Sequence, residues 1–407
     1  MKFQIWLNEK EKGFVFSMEK ELPKGAGQVT LADMDGDGTI DLVFPVCRDK
    51  NECAIHVVHN RQMPLCETGD IEKKGCRDPH ELCVADEKFG FEIGSEADHL
   101  ILPWHKITDT KSLIQTSHPH LTSTPIPLRI GDFNNDGYPD ILVTTVDNGV
   151  RLLKSVPCSV DICGAKAVES GRRGVEDVVL GTEAVRGVSG KVVGGGFLDL
   201  DEDGTLDVLV FTIESGKFRT HAFYNNFYND AFFLKALVSN GVCPAWCPEG
   251  EKFPDPKPYG VNYAGATYKY TVLDTSGKRR ANTVAQLPQS SYFALQTPYA
   301  LFGLGRTNNY VEDLFVGVSR YEPNHVAHYQ GVIPNSQLII IPYEKDTEAW
   351  SMEMYVEPGS ATSGVLAVLG TSLVLLLGVV AGLHWIEKRE DELEKKKALH
   401  LLNFDAL

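Results

Sequence analysis

The sequence predicts an all-β fold, a partial β-propeller followed by a small β-sandwich, and then a single transmembrane α-helix. Three observations predict it. Three short acidic loops repeat along the first half of the chain, each between apolar runs typical of buried strands. A second strand-rich region follows a segment rich in proline and cysteine. Near the C-terminus, residues 364–385 carry no formal charge.

The acidic loops are three copies of one nine-residue pattern, at residues 33–41, 132–140 and 199–207. Each offers carboxylate or amide oxygens at positions 1, 3, 5 and 9, with a glycine at position 6. Calcium prefers oxygen ligands, and glycine permits the sharp turn that folds the chain around the ion. The sequence therefore predicts about three structural Ca²⁺ sites. The residues predicted to form them are Asp33, Asp35, Asp37, Thr39, Asp41, Asp132, Asn134, Asp136, Tyr138, Asp140, Asp199, Asp201, Asp203, Thr205 and Asp207.

The flanks of the loops distinguish between calcium folds. An EF-hand needs a glutamate at position 12 and a helix on either side. Position 12 is Phe44, Val143 or Val210, and the apolar, β-branched runs around each loop favour strands. The unit is therefore strand, calcium loop, strand; the alternative is a plain hairpin turn rich in Asp, Asn and Gly.

The spacing of the loops predicts propeller blades in residues 1–238. The loops begin at residues 33, 132 and 199, and a four-stranded blade needs roughly 40 to 60 residues. The wider first interval carries a cysteine-rich insertion, from Cys47 to Cys83. Roughly four blades would leave strand edges open, and no apolar signal peptide begins the chain. We therefore expect an N-terminally truncated sequence; four blades that close alone are the alternative.

The loops with their flanking strands resemble the FG-GAP repeats of integrin α-subunits, in which calcium loops rigidify propeller blades. The C-terminal half resembles the T-cell immunomodulatory protein family. The segments that carry this second resemblance are residues 224–235, 285–290, 301–307, 333–338 and 403–407. The resemblance implies a type I membrane protein with an extracellular FG-GAP region and one transmembrane helix.

Composition divides the rest of the chain. Residues 239–258 contain several prolines and are predicted to be a linker. Residues 259–358 alternate strand-like runs with turns, which predicts a membrane-proximal β-sandwich. Residues 362–386 are predicted to form the transmembrane helix, and residues 387–407 a cytoplasmic tail.

Charges beside the apolar run set its predicted orientation. Lys388, Arg389 and three lysines at 395–397 follow the run, whereas the last basic residue before it is Lys345. The positive-inside rule then places the C-terminus in the cytosol. We expect a single-pass type I protein of the plasma membrane or the secretory pathway, with the lipid bilayer around its helix.

The nine cysteines are expected to form disulfides in an extracellular or lumenal chain. The preferred pairs are Cys158 with Cys163 and Cys243 with Cys247. Zinc is the alternative, but no Cys-x₂-Cys spacing occurs. An odd number leaves one cysteine free or paired outside the chain.

The sequence favours a binding protein over an enzyme. The net charge of −16 disfavours nucleic acid as a partner, and no catalytic motif was found. His56 and His59 are not expected to form a metal site, because residues three apart on a strand face opposite sides, and they are predicted to be ordinary surface histidines. The predicted partner is an unknown protein ligand, and the family resemblance implies an adhesion-like or immunomodulatory-like role. The alternative is a lumenal enzyme or chaperone-like factor that uses the propeller face.

Overall fold

The computed structural model of the chain forms two units, Met1–Tyr355 and Val356–Leu407. It describes residues 1–8, 12–48, 52–63, 75–77, 86–109, 112–113, 115–118, 121–147, 149–178, 188–227, 230–240, 261–287, 296–319, 325–342, 350–356 and 362–402. The first unit consists almost entirely of β-strands, and the second is one long helix.

Three sheets of the first unit carry the acidic loops, and each has its strands in chain order. In each sheet the loop joins the first strand to the second. The strands of the three sheets are β3 (Thr30–Ala32), β4 (Asp41–Cys47), β5 (Cys53–Val58) and β6 (His99–Pro103); β9 (Arg129–Gly131), β10 (Asp140–Thr145), β11 (Gly149–Pro157) and β12 (Arg173–Val178); and β13 (Lys191–Leu198), β14 (Asp207–Glu214) and β15 (Lys217–Phe223).

Smaller elements complete this N-terminal region. Two antiparallel hairpins and three short helices lie among the loop-bearing sheets. They are β1 (Lys2–Asn8) with β2 (Phe14–Glu21), β7 (Gln115–His118) with β8 (Leu121–Pro125), α1 (Trp104–Ile107), α2 (Val160–Cys163) and α3 (Ala165–Glu169).

The loop-bearing sheets pack face to face in chain order. Val43 on β4 and Ile141 on β10 belong to one buried apolar cluster, whereas Leu142 on β10 and Val208 on β14 belong to another. Successive residues of a strand point to opposite faces, so Ile141 and Leu142 place apolar neighbours on both sides of β10. Burial on both faces explains why β10 is a continuous apolar run rather than an alternating one.

The remaining strands form a pair of four-stranded sheets, called here the two-sheet module. One sheet has the order β19-β16-β22-β23 and the other β18-β17-β20-β21. The strands are β16 (Phe232–Val238), β17 (Thr267–Asp274), β18 (Arg279–Ala285), β19 (Ala300–Gly305), β20 (Thr307–Gly317), β21 (Val326–Val332), β22 (Ser336–Ile341) and β23 (Ser351–Tyr355). Residues of both sheets share one core, in which the rings of Tyr270 and Phe302 stack 4.8 Å apart.

One strand of this module comes earlier in the chain than the composition suggested. The prolines and cysteines after residue 238 predict that the blade region ends there. The structure instead pairs β16, the strand that ends at Val238, with β19 and β22 of the two-sheet module. The pairing partners of β16 lie 64 to 102 residues further along the chain (Ala236 with Ala300, Leu234 with Ser336), so no local pattern could assign this strand to the module.

The second unit contains α4 (Thr362–Leu402). Among the described residues, this is the one helix long and apolar enough to cross a membrane. The prediction of an all-β fold with one C-terminal apolar helix is confirmed. Closure of the N-terminal sheets into a propeller stays a prediction.

The packing of the sheets makes a prediction about Ile141, which is fully buried between two of them. Ile141→Ala should lower the free energy of unfolding by about 2–5 kcal/mol, because it leaves a cavity in a close-packed core. The matched control is Ile101→Ala on β6, whose side chain is 45% exposed and should cost no more than about 0.5 kcal/mol. Thermal unfolding of the full chain in detergent micelles measures both, and equal losses would contradict the packing.

Candidate metal centre

The three acidic loops share one backbone path. Position 4 has a positive φ in each loop, at Gly36, Asn135 and Glu202. Position 6 also has a positive φ in each, at Gly38, Gly137 and Gly204. L-residues other than Asn and Asp rarely adopt this left-handed conformation, which explains the glycine that all three copies keep at position 6.

The first carboxylate of each loop organises the turn. Asp33 Oδ1 accepts hydrogen bonds from the backbone N–H groups of Gly36 at 2.8 Å and Asp37 at 3.1 Å, and Oδ2 accepts one from Gly38 at 2.9 Å. Asp132 accepts from positions 5 and 6 of its own loop in the same way. The loop therefore wraps around a buried carboxylate, as a cation-binding turn does.

The last carboxylate, at position 9, ties each loop to its sheet. One of its oxygens accepts the N–H of position 2, and the other accepts an N–H from the end of the following hairpin. The donors are Met34 and Asn60 for Asp41, Phe133 and Ser155 for Asp140, and Leu200 and Asn225 for Asp207, at 2.7–3.0 Å. The acids of position 9 are thus fixed in the same place in all three sheets.

The middle positions of the loops differ more. In the first and third loops the carboxylates of positions 1, 3 and 5 lie within 4.8 Å of one another. In the second loop position 3 is Asn134, which donates to Asp136 Oδ2 at 3.0 Å. At position 7, Thr39 and Thr205 donate to the carboxylate of position 5. The structure therefore brings the residues of each predicted site together, while metal binding by them stays a prediction.

Burial makes these carboxylates costly to ionise. Burial, with neighbouring aspartates in second place, holds the pKa of Asp33 and that of Asp132 well above the usual range. It raises the pKa of Asp37 to about 7, again with nearby aspartates adding to the effect, and that of Asp140 to about 7. A bound divalent cation would favour the ionised forms that burial and repulsion disfavour.

Two buried oxygens strengthen the fit of the loops to a bound cation. Asp35 Oδ1 and Asp199 Oδ1 have no hydrogen-bond partner among the described residues. A buried carboxylate oxygen without a partner is unusual in a folded protein. Oxygen donors around a sharp glycine turn are what a hard cation requires, so the residues present fit Ca²⁺.

The first position of every loop also contacts the two-sheet module. The N–H of Thr283 on β18 donates to Asp33 Oδ2 at 3.0 Å, and the N–H of Gly303 on β19 donates to Asp132 Oδ2 at 3.1 Å. Lys235 Nζ on β16 lies 2.8 Å from Asp199 Oδ2. Three equivalent aspartates thus form a joint between the N-terminal sheets and the module.

Further contacts reinforce this joint. Thr283 Oγ1 donates to the carbonyl of Gly38 at 2.7 Å, and Asn282 Nδ2 donates to that of Gly137 at 2.6 Å. A cavity of about 90 Å³ lies at the joint, lined by Asp33, Asp132 and apolar residues from both regions. Sequence reasoning missed the joint, because its partners are far apart in the chain and carry no motif.

The interpretation of His56 and His59 as surface residues is wrong. Both are buried, at 6% and 1% exposure. His56 Nδ1 lies 2.8 Å from His99 Nε2 on the neighbouring strand. His59 follows the end of β5 rather than lying on it, so the alternation of strand faces did not apply, and its ring turns toward the first acidic loop.

Two disulfides lie near the loops. The structure joins Cys158 to Cys163, the pair preferred from the sequence, and also joins Cys47 to Cys53. Cys243 and Cys247 lie outside the described residues. Disulfides persist in oxidising compartments.

The fold and the loops define a class: a β-rich protein with three repeated acidic loops and a C-terminal helix that fits a membrane anchor. Residues 258–355 match the family described as ITFG1, C2 domain. The T-cell immunomodulatory protein of Homo sapiens is 32% identical over 100% of this chain and 62% of its own length. That of Macaca fascicularis is 34% identical over 72% of this chain and 94% of its own length.

A more distant relative extends the comparison. The T-cell immunomodulatory protein homolog of Plasmodium falciparum is 30% identical over 97% of this chain and 56% of its own length. The chain belongs to the T-cell immunomodulatory protein family, which confirms the resemblance drawn from its residues. It spans 62% of the length of the human relative.

The raised pKa values predict how calcium stabilisation depends on pH. Folded Asp37 and Asp140 release their protons near pH 7, whereas unfolded aspartates do so near 4. The metal-free folded state binds more protons than the unfolded state in this window. The contribution of these two groups to the stability of the fold therefore falls as pH rises from about 4 to 7. Ca²⁺ should bind the ionised loops. The calcium increment, meaning the rise in unfolding temperature that Ca²⁺ causes, should therefore increase over the same pH window.

The measurement is thermal unfolding of the full chain with Ca²⁺ and with a chelator, from pH 5 to pH 8. Burial lowers the pKa of His56 to about 3, so its contribution to stability rises with pH, opposite to that of the aspartates. This contribution is the same with Ca²⁺ and with chelator, so it does not affect the calcium increment. Asp136→Asn, at position 5 of the second loop, should reduce the calcium increment, and Asp161→Asn, at an exposed position, should not. An increment that is absent or independent of pH would contradict the prediction.

Proposed function

We propose that this chain is a single-pass type I membrane protein whose calcium-stabilised, FG-GAP-like β-propeller region binds a protein ligand outside the cytosol. The observation that carries the proposal is the threefold repetition of a loop built around buried carboxylates. Cations or protons would offset the negative charge that burial and mutual repulsion make costly in such loops.

The calcium part of the proposal follows from compartment as well as chemistry. Extracellular calcium modules bind with dissociation constants of roughly 10⁻⁴–10⁻³ M, which suits a medium rich in Ca²⁺. The disulfides Cys47–Cys53 and Cys158–Cys163 support an oxidising compartment for the same sheets. In this proposal the aspartates at positions 1, 3, 5 and 9, with Asn134, hold the ion, and position 7 completes each loop.

The membrane part rests on α4. Residues 364–385 are long enough to cross the hydrocarbon core, at about 1.5 Å per residue. Basic residues follow them at Lys388, Arg389 and 395–397. This asymmetry supports a cytoplasmic C-terminus and N-terminal sheets on the opposite side.

The binding part rests on what the acidic residues do. Among the described residues, the clusters of His, Cys, Asp and Glu close enough to hold a metal all involve the first and third acidic loops. Their carboxylates are engaged in loop geometry and in the joint. The relatives are named for immunomodulation of T cells, which supports a role in recognition rather than in catalysis.

Glycosylation mapping in cultured cells tests the orientation. A sequon inserted at the exposed turn of Ser215 and Gly216, between β14 and β15, should be glycosylated. A sequon appended after Leu407 should stay unmodified and serves as the control. The reverse pattern would overturn the type I proposal.

The same cells test calcium-dependent binding through an impermeant cross-linker. A cross-linked protein partner should be recovered with Ca²⁺ and lost with a chelator or in Asp132→Ala, which removes the carboxylate at the centre of the second loop. The matched control, Asp147→Ala at an exposed turn, should retain the partner. A partner that binds equally well with chelator would contradict the proposed role of calcium.

A further inference from the structure

The three loops differ at one equivalent position beside the carboxylate of position 9. That carboxylate accepts the N–H of Asn60, Ser155 or Asn225, so these residues correspond between the sheets. The residues immediately before them are His59, Lys154 and Tyr224. The residue at this position is therefore a buried histidine beside the first loop, a lysine in the second sheet and an exposed tyrosine in the third.

The imidazole of His59 is placed as a metal ligand would be. Its side chain is only 2% exposed, and Nδ1 lies 3.2 Å from Asp41 Oδ2 and 3.4 Å from Asp35 Oδ2. Two ligands held tetrahedrally at about 2.0–2.1 Å from one zinc ion are about 3.3–3.4 Å apart. These two separations match the edges of a first-row metal site, so a metal ion could take the place of the proton in the hydrogen bond between His59 Nδ1 and Asp41 Oδ2.

A second observation points to a ligand at the same place. Asp35 is more than nine-tenths buried, and its Oδ1 has no hydrogen-bond partner among the described residues. A carboxylate oxygen left without a partner in the interior costs free energy that a metal ion would offset. The cluster therefore combines an unpartnered oxygen with a buried nitrogen ligand.

We infer that the first acidic loop binds a divalent first-row transition metal of the zinc class through Asp35, Asp41 and His59, whereas the second and third loops take Ca²⁺. Imidazole suits Zn²⁺ and its neighbours, while carboxylate, carbonyl and water oxygens suit Ca²⁺. The inference rests on the proposed function only in treating the loops as cation sites. It assigns one of them a different metal.

A guanidinium group beside the cluster competes with a metal ion, and a groove gives an ion access to the cluster. The guanidinium of Arg172 forms an ion pair with Asp35, so a metal must displace this group. A groove of about 430 Å³, lined by His59, His99, Lys166 and Arg172, borders the cluster. Arg172 thus sets the affinity of the site, and the groove gives an ion access to it.

Zinc binding by the full chain in detergent micelles tests the inference. Protein stripped by chelator is dialysed against Zn²⁺ in a large excess of Ca²⁺, and bound zinc is measured by mass spectrometry. Wild type should retain zinc, with the site in the first loop. His59→Gln should lower zinc affinity by more than the roughly 10- to 100-fold that loss of a group supporting a ligand costs.

Two further variants keep the test decisive. His221→Gln, which removes a histidine whose Nε2 forms a hydrogen bond with Thr212 Oγ1, should leave zinc affinity unchanged and controls for adventitious binding. Arg172→Gln should raise zinc affinity, which a merely misfolded protein would not do. Unfolding curves of each variant establish that it is folded.

The outcomes separate this inference from the proposed function. Zinc lost to excess Ca²⁺ in wild type, unchanged zinc affinity in His59→Gln, or lower affinity in Arg172→Gln would overturn the inference. Calcium titration of His59→Gln reports on the second and third loops alone. Zinc binding without any calcium binding there would support the inference and contradict the calcium part of the proposed function.

Discussion

Three buried aspartates, Asp33, Asp132 and Asp199, hold the acidic loops and the two-sheet module in one structure. Asp33 and Asp132 accept backbone N–H groups both from their own loops and from β18 or β19. Asp199 instead meets the buried ammonium of Lys235 on β16. Removing one partner from such a buried ion pair typically costs about 3–5 kcal/mol, so the third contact of the joint depends on Asp199.

This constraint links local chemistry to the arrangement of the sheets. A cation in a loop would fix the carboxylate at position 1, and the other oxygen of that carboxylate fixes a strand of the module. Cation binding and the joint therefore share a group, which is a physical basis for coupling between them. The carboxylate of position 9 is directed into its own sheet instead, so each loop connects three parts of the fold.

The sequence was sufficient to predict those features of the fold that neighbouring residues encode. Glycine at position 6 and the oxygens around it located the loops, because a nine-residue turn is encoded by neighbours. Apolar runs located β4, β10 and β14. The contacts of Thr283, Gly303 and Lys235 could not be predicted, since each depends on packing between segments distant in the chain. His59 was missed for a related reason: its direction depends on where β5 ends, and strand boundaries are poorly determined by composition.

Hydrogen exchange of the full chain, with and without chelator, tests the coupling most directly. The account predicts that removing the bound cations speeds exchange at the amides of Gly38 and Gly137 in the loops and at those of Thr283 and Gly303 in the module. The amide of Leu338 on β22, away from the joint, should be unaffected. Faster exchange in the loops with unchanged exchange at Thr283 and Gly303 would contradict the account.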